Sequence, residues 1–276
     1  MPLLHLVILA MVQGLTEFLP ISSSGHLVLV PVFLEIADQG LILDVAVHVG
    51  TLGAVLLYLW RDVWTMASGF TLMFYGRSNS GTKLLGYLIL ATLPVIGAGY
   101  AMNHYYPAGI RSIEVIGWAT LVFGLVLMIA DQIGMTLRRI EHLAISEILI
   151  IGFAQALALI PGTSRSGICM TAARFLGMER SDAARFSILL SIPVILGAGV
   201  LKGYELWKTG YTQLTNDVFL GAGIAFIVAL ITIVLFMAWL RRATLTPFAI
   251  YRMILGVALL AYSYGWIYTN IFSGIL

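Results

Sequence analysis

Apolar runs long enough to cross a bilayer recur along the chain at about 44–60, 84–102, 114–134, 185–205, 218–240 and 247–271. Roughly 20 residues of helix cover the hydrocarbon core, so each run predicts a membrane span. The first is short and carries Asp44 and His48. Two further regions, about 3–36 and 144–177, are equally apolar but are broken midway by polar motifs, one between Gln13 and His26 and one between Pro161 and Gly167. A proline followed by a Ser/Gly run ends one helix and starts another. Each half is then too short to cross, and the pattern predicts two re-entrant helical hairpins. Irregular backbone at that depth is tolerated only inside protein or along an aqueous cavity. The predicted fold is an all-α integral membrane protein with about six transmembrane helices plus two re-entrant hairpins.

The two hairpins echo each other. Gln13 and Gly25 are separated as Gln155 and Gly167 are. Ser22-Ser23-Ser24 corresponds to Ser164-Arg165-Ser166, and Pro20 and Pro161 follow their glutamines at similar distances. Each hairpin precedes three spans. This predicts an inverted repeat, with residues 1–140 as one unit and 141–276 as the other, and a site at their interface. With the 61–83 loop placed inside, Arg61, Arg77, Lys83, Arg138, Arg139, Arg241 and Arg242 are cytoplasmic, and Arg111, Lys202 and Lys208 are outside. The positive-inside rule favours that orientation, with both termini periplasmic.

Composition agrees. The 276 residues are 60% hydrophobic and 10% charged, against about 25% charged for a soluble domain. A net charge of +2, with basic residues scattered singly, predicts no nucleic-acid partner. Cys169 is the single cysteine, which excludes an intrachain disulfide. No cleavable signal peptide is expected at the N-terminus.

Ionisable groups inside a membrane segment are costly and point to function. Glu17 lies one helical turn after Gln13 on the same face. The pair offers hard oxygens to Mg²⁺ or Ca²⁺, and Glu17 alone suits a general base. Ser22, Ser23, Ser24 and Gly25 precede an apolar run. They are the residues of a helix cap, and in excess of what a cap needs they suit an anion. His26 follows on the next turn as a candidate proton-transfer group. In the second loop Gly162, Thr163, Ser164, Ser166 and Gly167 surround Arg165, whose guanidinium matches a phosphate. His5 and His48 read as structural or interfacial, and Arg174 as interfacial. Arg252 either snorkels to the surface or touches phosphate. No P-loop, zinc spacing or nucleophile elbow is present.

These motifs, Gln13 to Glu17 followed by Phe-Leu-Pro-Ile-Ser-Ser-Ser-Gly-His, and Pro-Gly-Thr-Ser-Arg-Ser at 161–166, resemble the undecaprenyl-diphosphate phosphatase, or bacitracin-resistance, family. Family-like text also covers Ala184–Pro193 and Pro247–Arg252. Two positions qualify the match: Gln13 takes the alternative that the family's first motif (Glu or Gln, three residues, then Glu) allows, which makes it no charged metal ligand, and Cys169 stands where many relatives carry a threonine. The resemblance implies hydrolysis of a polyprenyl diphosphate lipid to undecaprenyl phosphate and inorganic phosphate in the bacterial inner membrane, a divalent cation, and peptidoglycan-carrier recycling. It also allows a homodimer. Two routes stay open: attack on phosphorus by Ser23, with Glu17 or His26 taking its proton, or attack by water held on the cation. The architecture alone would equally suit a secondary transporter or lipid-phosphate flippase.

Overall fold

The computed structural model describes residues 3–33, 41–105, 112–134, 137–208 and 216–266. Among them are eleven α-helices and no strand: α1 (Leu3–Thr16), α2 (Ser23–Phe33), α3 (Leu41–Tyr58), α4 (Trp60–Met73), α5 (Ser80–Tyr105), α6 (Ile113–Ile133), α7 (Ile145–Ala156), α8 (Arg165–Phe175), α9 (Arg180–Lys208), α10 (Asn216–Leu240) and α11 (Thr246–Ser263). Five of these (α5, α6, α9, α10 and α11) are long and apolar enough to cross a membrane, and α3 with α4 makes a sixth if the bent pair is one span. The fold is all-α and membrane-spanning, as the apolar runs indicate. Arg111, residues 34–36 of the first hairpin and residues 267–271 of the last expected span lie outside the described residues.

The expected cytoplasmic loop 61–83 is mostly helix. Residues 60–73 form α4, bent by 86° from α3. The sequence hides this helix because its apolar positions are interrupted by Arg61, Asp62 and Thr65, so it never reads as a span. Its Asp62 pairs with Arg185 of α9, and its Gly69 packs against the start of α5 at Gly81 and Thr82.

Both broken segments fold as helix–loop–helix. α1 and α2 flank residues 17–22, and α7 and α8 flank a 3₁₀ turn at Leu157–Leu159 and the loop that follows it. α1 and α7 are short apolar helices, below spanning length. α1 packs against α10, α7 packs against α5, and α6 packs against α11. Small residues set the close crossings: Gly50 of α3 lies against the Ala222 carbonyl of α10, and Gly256 of α11 against Leu121 of α6. Such packing is what lets membrane helices gain van der Waals contact without a hydrophobic driving force. The largest core cluster joins α3, α5, α7, α8, α9 and α10 around Phe18, Leu88, Ile148, Phe186 and Ile233.

Two arginines depart from expectation. Arg174 is fully buried rather than interfacial. It donates to the carbonyls of Gly134 (2.7 Å), Asp131 and Met178, with the Asp131 carboxylate 3.5 Å away. Arg252 neither snorkels nor reaches a surface. It donates to the carbonyls of Thr163 (2.7 Å), Gly162 (3.0 Å) and Pro20 (3.5 Å), so it ties the two interrupted loops together. In lipid an unsatisfied carbonyl costs several kcal/mol, and irregular loops leave carbonyls that a guanidinium can satisfy.

Candidate active site

The loop residues start from two strained serines. Ser22 (φ 75°) and Ser164 (φ 69°) are the non-glycine residues with positive φ among those described. Each such conformation costs about 1–3 kcal/mol, and such residues cluster at functional sites. Each serine caps the helix that follows: Ser22 Oγ accepts from the Gly25 N–H (3.3 Å) and Ser164 Oγ from the Gly167 N–H (3.1 Å). Ser24 and Ser166 hydroxyls lie 3.4 and 3.1 Å from the capping oxygens. Gly162 (φ 95°) turns where an added Cβ would lie 2.5 Å from the Ile116 carbonyl, and a Cβ on Gly167 would strike the Arg252 guanidinium at 2.8 Å.

The turns aim three side chains at one point. Glu17, one turn past Gln13, is about nine-tenths buried. Its Oε2 accepts from Ser23 Oγ at 2.7 Å and from Gln13 Nε2 at 3.0 Å, and its Oε1 accepts from Arg165 Nη2 at 2.9 Å. Arg165 Nη1 is braced by the Ser187 carbonyl of α9 at 2.9 Å. The hairpins are further stitched by Ser166 Oγ donating to the Leu19 carbonyl (2.8 Å). Below them opens a cavity of about 370 Å³ whose polar floor is Glu17, Ser23, Ser24, Ser164 and Arg165. Its walls are one face of α3 (Asp44, Val45, His48, Val49) and one face of α9 (Val194, Ile195, Ala198, Gly199, Lys202), closed by Val95, Ala158 and Leu159.

The model of bacitracin resistance protein BacA matches residues 6–258. The chain belongs to the BacA family. Similar curated proteins include the undecaprenyl-diphosphatase of a Jannaschia species, 50% identical over 96% of this chain and the whole of that one. The undecaprenyl-diphosphatase 1 of Rhodospirillum rubrum is 46% identical over 96% of each, and the undecaprenyl-diphosphatase of Ruegeria pomeroyi is 47% identical over 96% and 100%.

In this BacA-family chain the sequence-predicted residues divide into floor and frame. Glu17, Ser23, Ser24, Ser164 and Arg165 border the cavity. Gln13, Ser22, Gly25, Gly162, Thr163, Ser166 and Gly167 stand behind it and fix the loops. His26 is not brought to Glu17. Its Nδ1 faces the Ser22 carbonyl at 2.7 Å and its Nε2 the Tyr251 hydroxyl at 2.7 Å, with the rings stacked. The imidazole beside Glu17 is His48, with Nε2 3.9 Å from Oε2 and Nδ1 on the Asp44 carbonyl at 2.6 Å. The sequence signal for it was an Asp and a His four apart inside an apolar span.

Three side-chain oxygens could hold a divalent cation here. The Glu17 carboxylate and Ser23 hydroxyl face the cavity, and Gln13 Oε1 is buried without a hydrogen-bond partner. These are the hard oxygens that Mg²⁺ and Ca²⁺ take. Among the described residues no three His, Cys, Asp or Glu gather, so phosphate oxygens and water would complete the coordination.

Proposed function

We propose that this chain hydrolyses undecaprenyl diphosphate to undecaprenyl phosphate and inorganic phosphate, returning the lipid carrier to cell-wall synthesis and conferring bacitracin resistance. The relatives that match over nearly their whole length carry that activity in their names. The observation that carries the reading is the Ser23–Glu17–Arg165 arrangement, a hydroxyl 2.7 Å and a guanidinium 2.9 Å from opposite oxygens of one carboxylate. A hydroxyl hydrogen-bonded to a carboxylate is an activated nucleophile. A fixed guanidinium stabilises charge on a transferring phosphoryl group. The mostly apolar cavity walls suit a lipid whose diphosphate alone needs a polar end.

Ser23 Oγ gives its proton to Glu17 and attacks the terminal phosphorus. The bond from that phosphorus to the bridging oxygen breaks, and undecaprenyl phosphate leaves. Water then cleaves the phosphoserine and releases inorganic phosphate. Arg165 holds the phosphoryl oxygens, and Gln13 orients Glu17 from behind. Mg²⁺ or Ca²⁺ held by Glu17, Ser23 and Gln13 would neutralise diphosphate charge. In the competing route water attacks directly and the serines only bind. We place the protein in the bacterial inner membrane with both termini periplasmic. We read the two halves as an inverted repeat, which the matching serine caps and the paired packing of α1 on α10 and α7 on α5 support. Phosphate release from a long polyprenyl diphosphate by purified protein, with and without chelator, tests the activity. Absence of release sinks it, and loss on chelation supports the cation.

A further inference from the structure

The cavity has a second charged end. Of the residues lining it, Arg165 and Lys202 carry a fixed positive charge. Arg165 is anchored to the Ser187 carbonyl, fifteen residues before Lys202 on α9, about 22 Å of ideal helix rise, with Pro193 inside the helix between them. Lys202 is exposed. Between the two charges Val194, Ile195, Ala198 and Gly199 follow the helical period, so one face of α9 forms a continuous wall from the floor to the exposed lysine. A Cβ on Gly199 would meet open space. Asp44, one turn beyond His48 on α3, lines the same cavity.

We propose that Lys202 and Asp44 form an anion-relay site on the wall of the cavity leading from the Glu17–Ser23–Arg165 floor to water, through which inorganic phosphate leaves. This rests on the phosphatase reading. The ammonium attracts the released phosphate away from Arg165, and the carboxylate of opposite sign keeps it from lodging. A lysine suits a transit site because it is a hydrated point charge without the two-pronged grip of arginine. The lipid product needs no such exit, since it returns to the bilayer.

The test uses full-length protein in nanodiscs and inorganic phosphate as the probe, read both as product inhibition of hydrolysis and as direct binding by phosphorus NMR titration. Lys202→Gln should weaken phosphate about fivefold, and should flatten the fall of kcat/KM with added salt, because steering by exposed charge is screened. Lys202→Arg should restore both. Asp44→Asn should shift the phosphate constant the other way, tightening it by a similar factor. Unchanged phosphate constants in Lys202→Gln and Asp44→Asn overturn the proposal, as do shifts in the same direction, which would report a general change of structure. If the parent releases no phosphate from polyprenyl diphosphate, the function falls on its own, and the binding titration still decides the relay.

Discussion

The two interrupted hairpins share a strained serine cap and differ in the side chains set around it. Ser22 and Ser164 share the left-handed conformation and the cap to a glycine three residues on. Four residues after its glutamine the first hairpin has Glu17, where the second has Leu159. At the next register position the first has Ser23 and the second Arg165. Even the glutamines part: Gln13 donates to Glu17, whereas Gln155 donates to the Ala91 carbonyl of α5 at 3.3 Å and accepts from Cys169. One loop therefore supplies a carboxylate and a hydroxyl, the other a guanidinium, and they meet at Glu17. Two similarly capped turns make one site because each brings a different half of the polar groups.

The comparison is broken most severely by removing the cation of the second loop. Arg165→Ala should lower kcat by on the order of 10³-fold or more, with the protein still folded and inserted. Arg165→Lys should remain poor, because an ammonium cannot hold both Glu17 and a phosphate in the plane of a guanidinium. Near-normal turnover in either variant removes Arg165 from the site. Glu17→Gln attacks the other partner. It should cost roughly 10²–10⁴-fold if Glu17 is the base, and it should weaken the response to Mg²⁺ or Ca²⁺. An unaltered metal titration with lost activity leaves only base catalysis.

Ser23→Ala sharpens the contrast between the serines. A nucleophile's loss should cost several orders of magnitude, and rapid quench of the parent should trap a phosphoserine. A serine that only binds should cost about ten- to a hundredfold, the worth of one charge-assisted hydrogen bond. Gln155→Ala should have the smallest effect of the four on kcat, within a few-fold, because its partners belong to α5 and Cys169 rather than to Glu17. A loss as deep as that of Glu17→Gln would show that the second glutamine serves the chemistry.

Periodicity showed the spans and the interruptions, because a proline and polar residues inside an apolar run are local facts. It also showed Gln13 and Glu17 on one face and the charges of both motifs. It missed what depends on assembly. His48 reads as an isolated polar residue until α3 packs beside the first loop, and Lys202 reads as a helix-end charge until α9 becomes a cavity wall. Arg174 reads as interfacial, and Arg252 as a snorkelling or phosphate-touching residue, because a lone arginine in an apolar helix gives no hint of the loop carbonyls it will bind. His26 sits in the expected motif, yet tertiary packing turns its ring to Tyr251. The bend between α3 and α4 was lost for the same reason: α4 is held by Arg185 and by α5, not by its own apolar pattern.

The Arg252 tie bears on how the molecule can move. A carrier working by alternating access rocks one bundle against another and opens its centre to each side in turn. Here a buried guanidinium grips carbonyls of both loops. Parting them would leave a charge and its acceptors bare in a dry interior, at about 1.5–3 kcal/mol for each charged hydrogen bond broken. The centre of this protein is riveted rather than hinged. On the phosphatase reading, a centre fixed in this way suits chemistry at one point, with the α3 and α9 faces as the walls beside it.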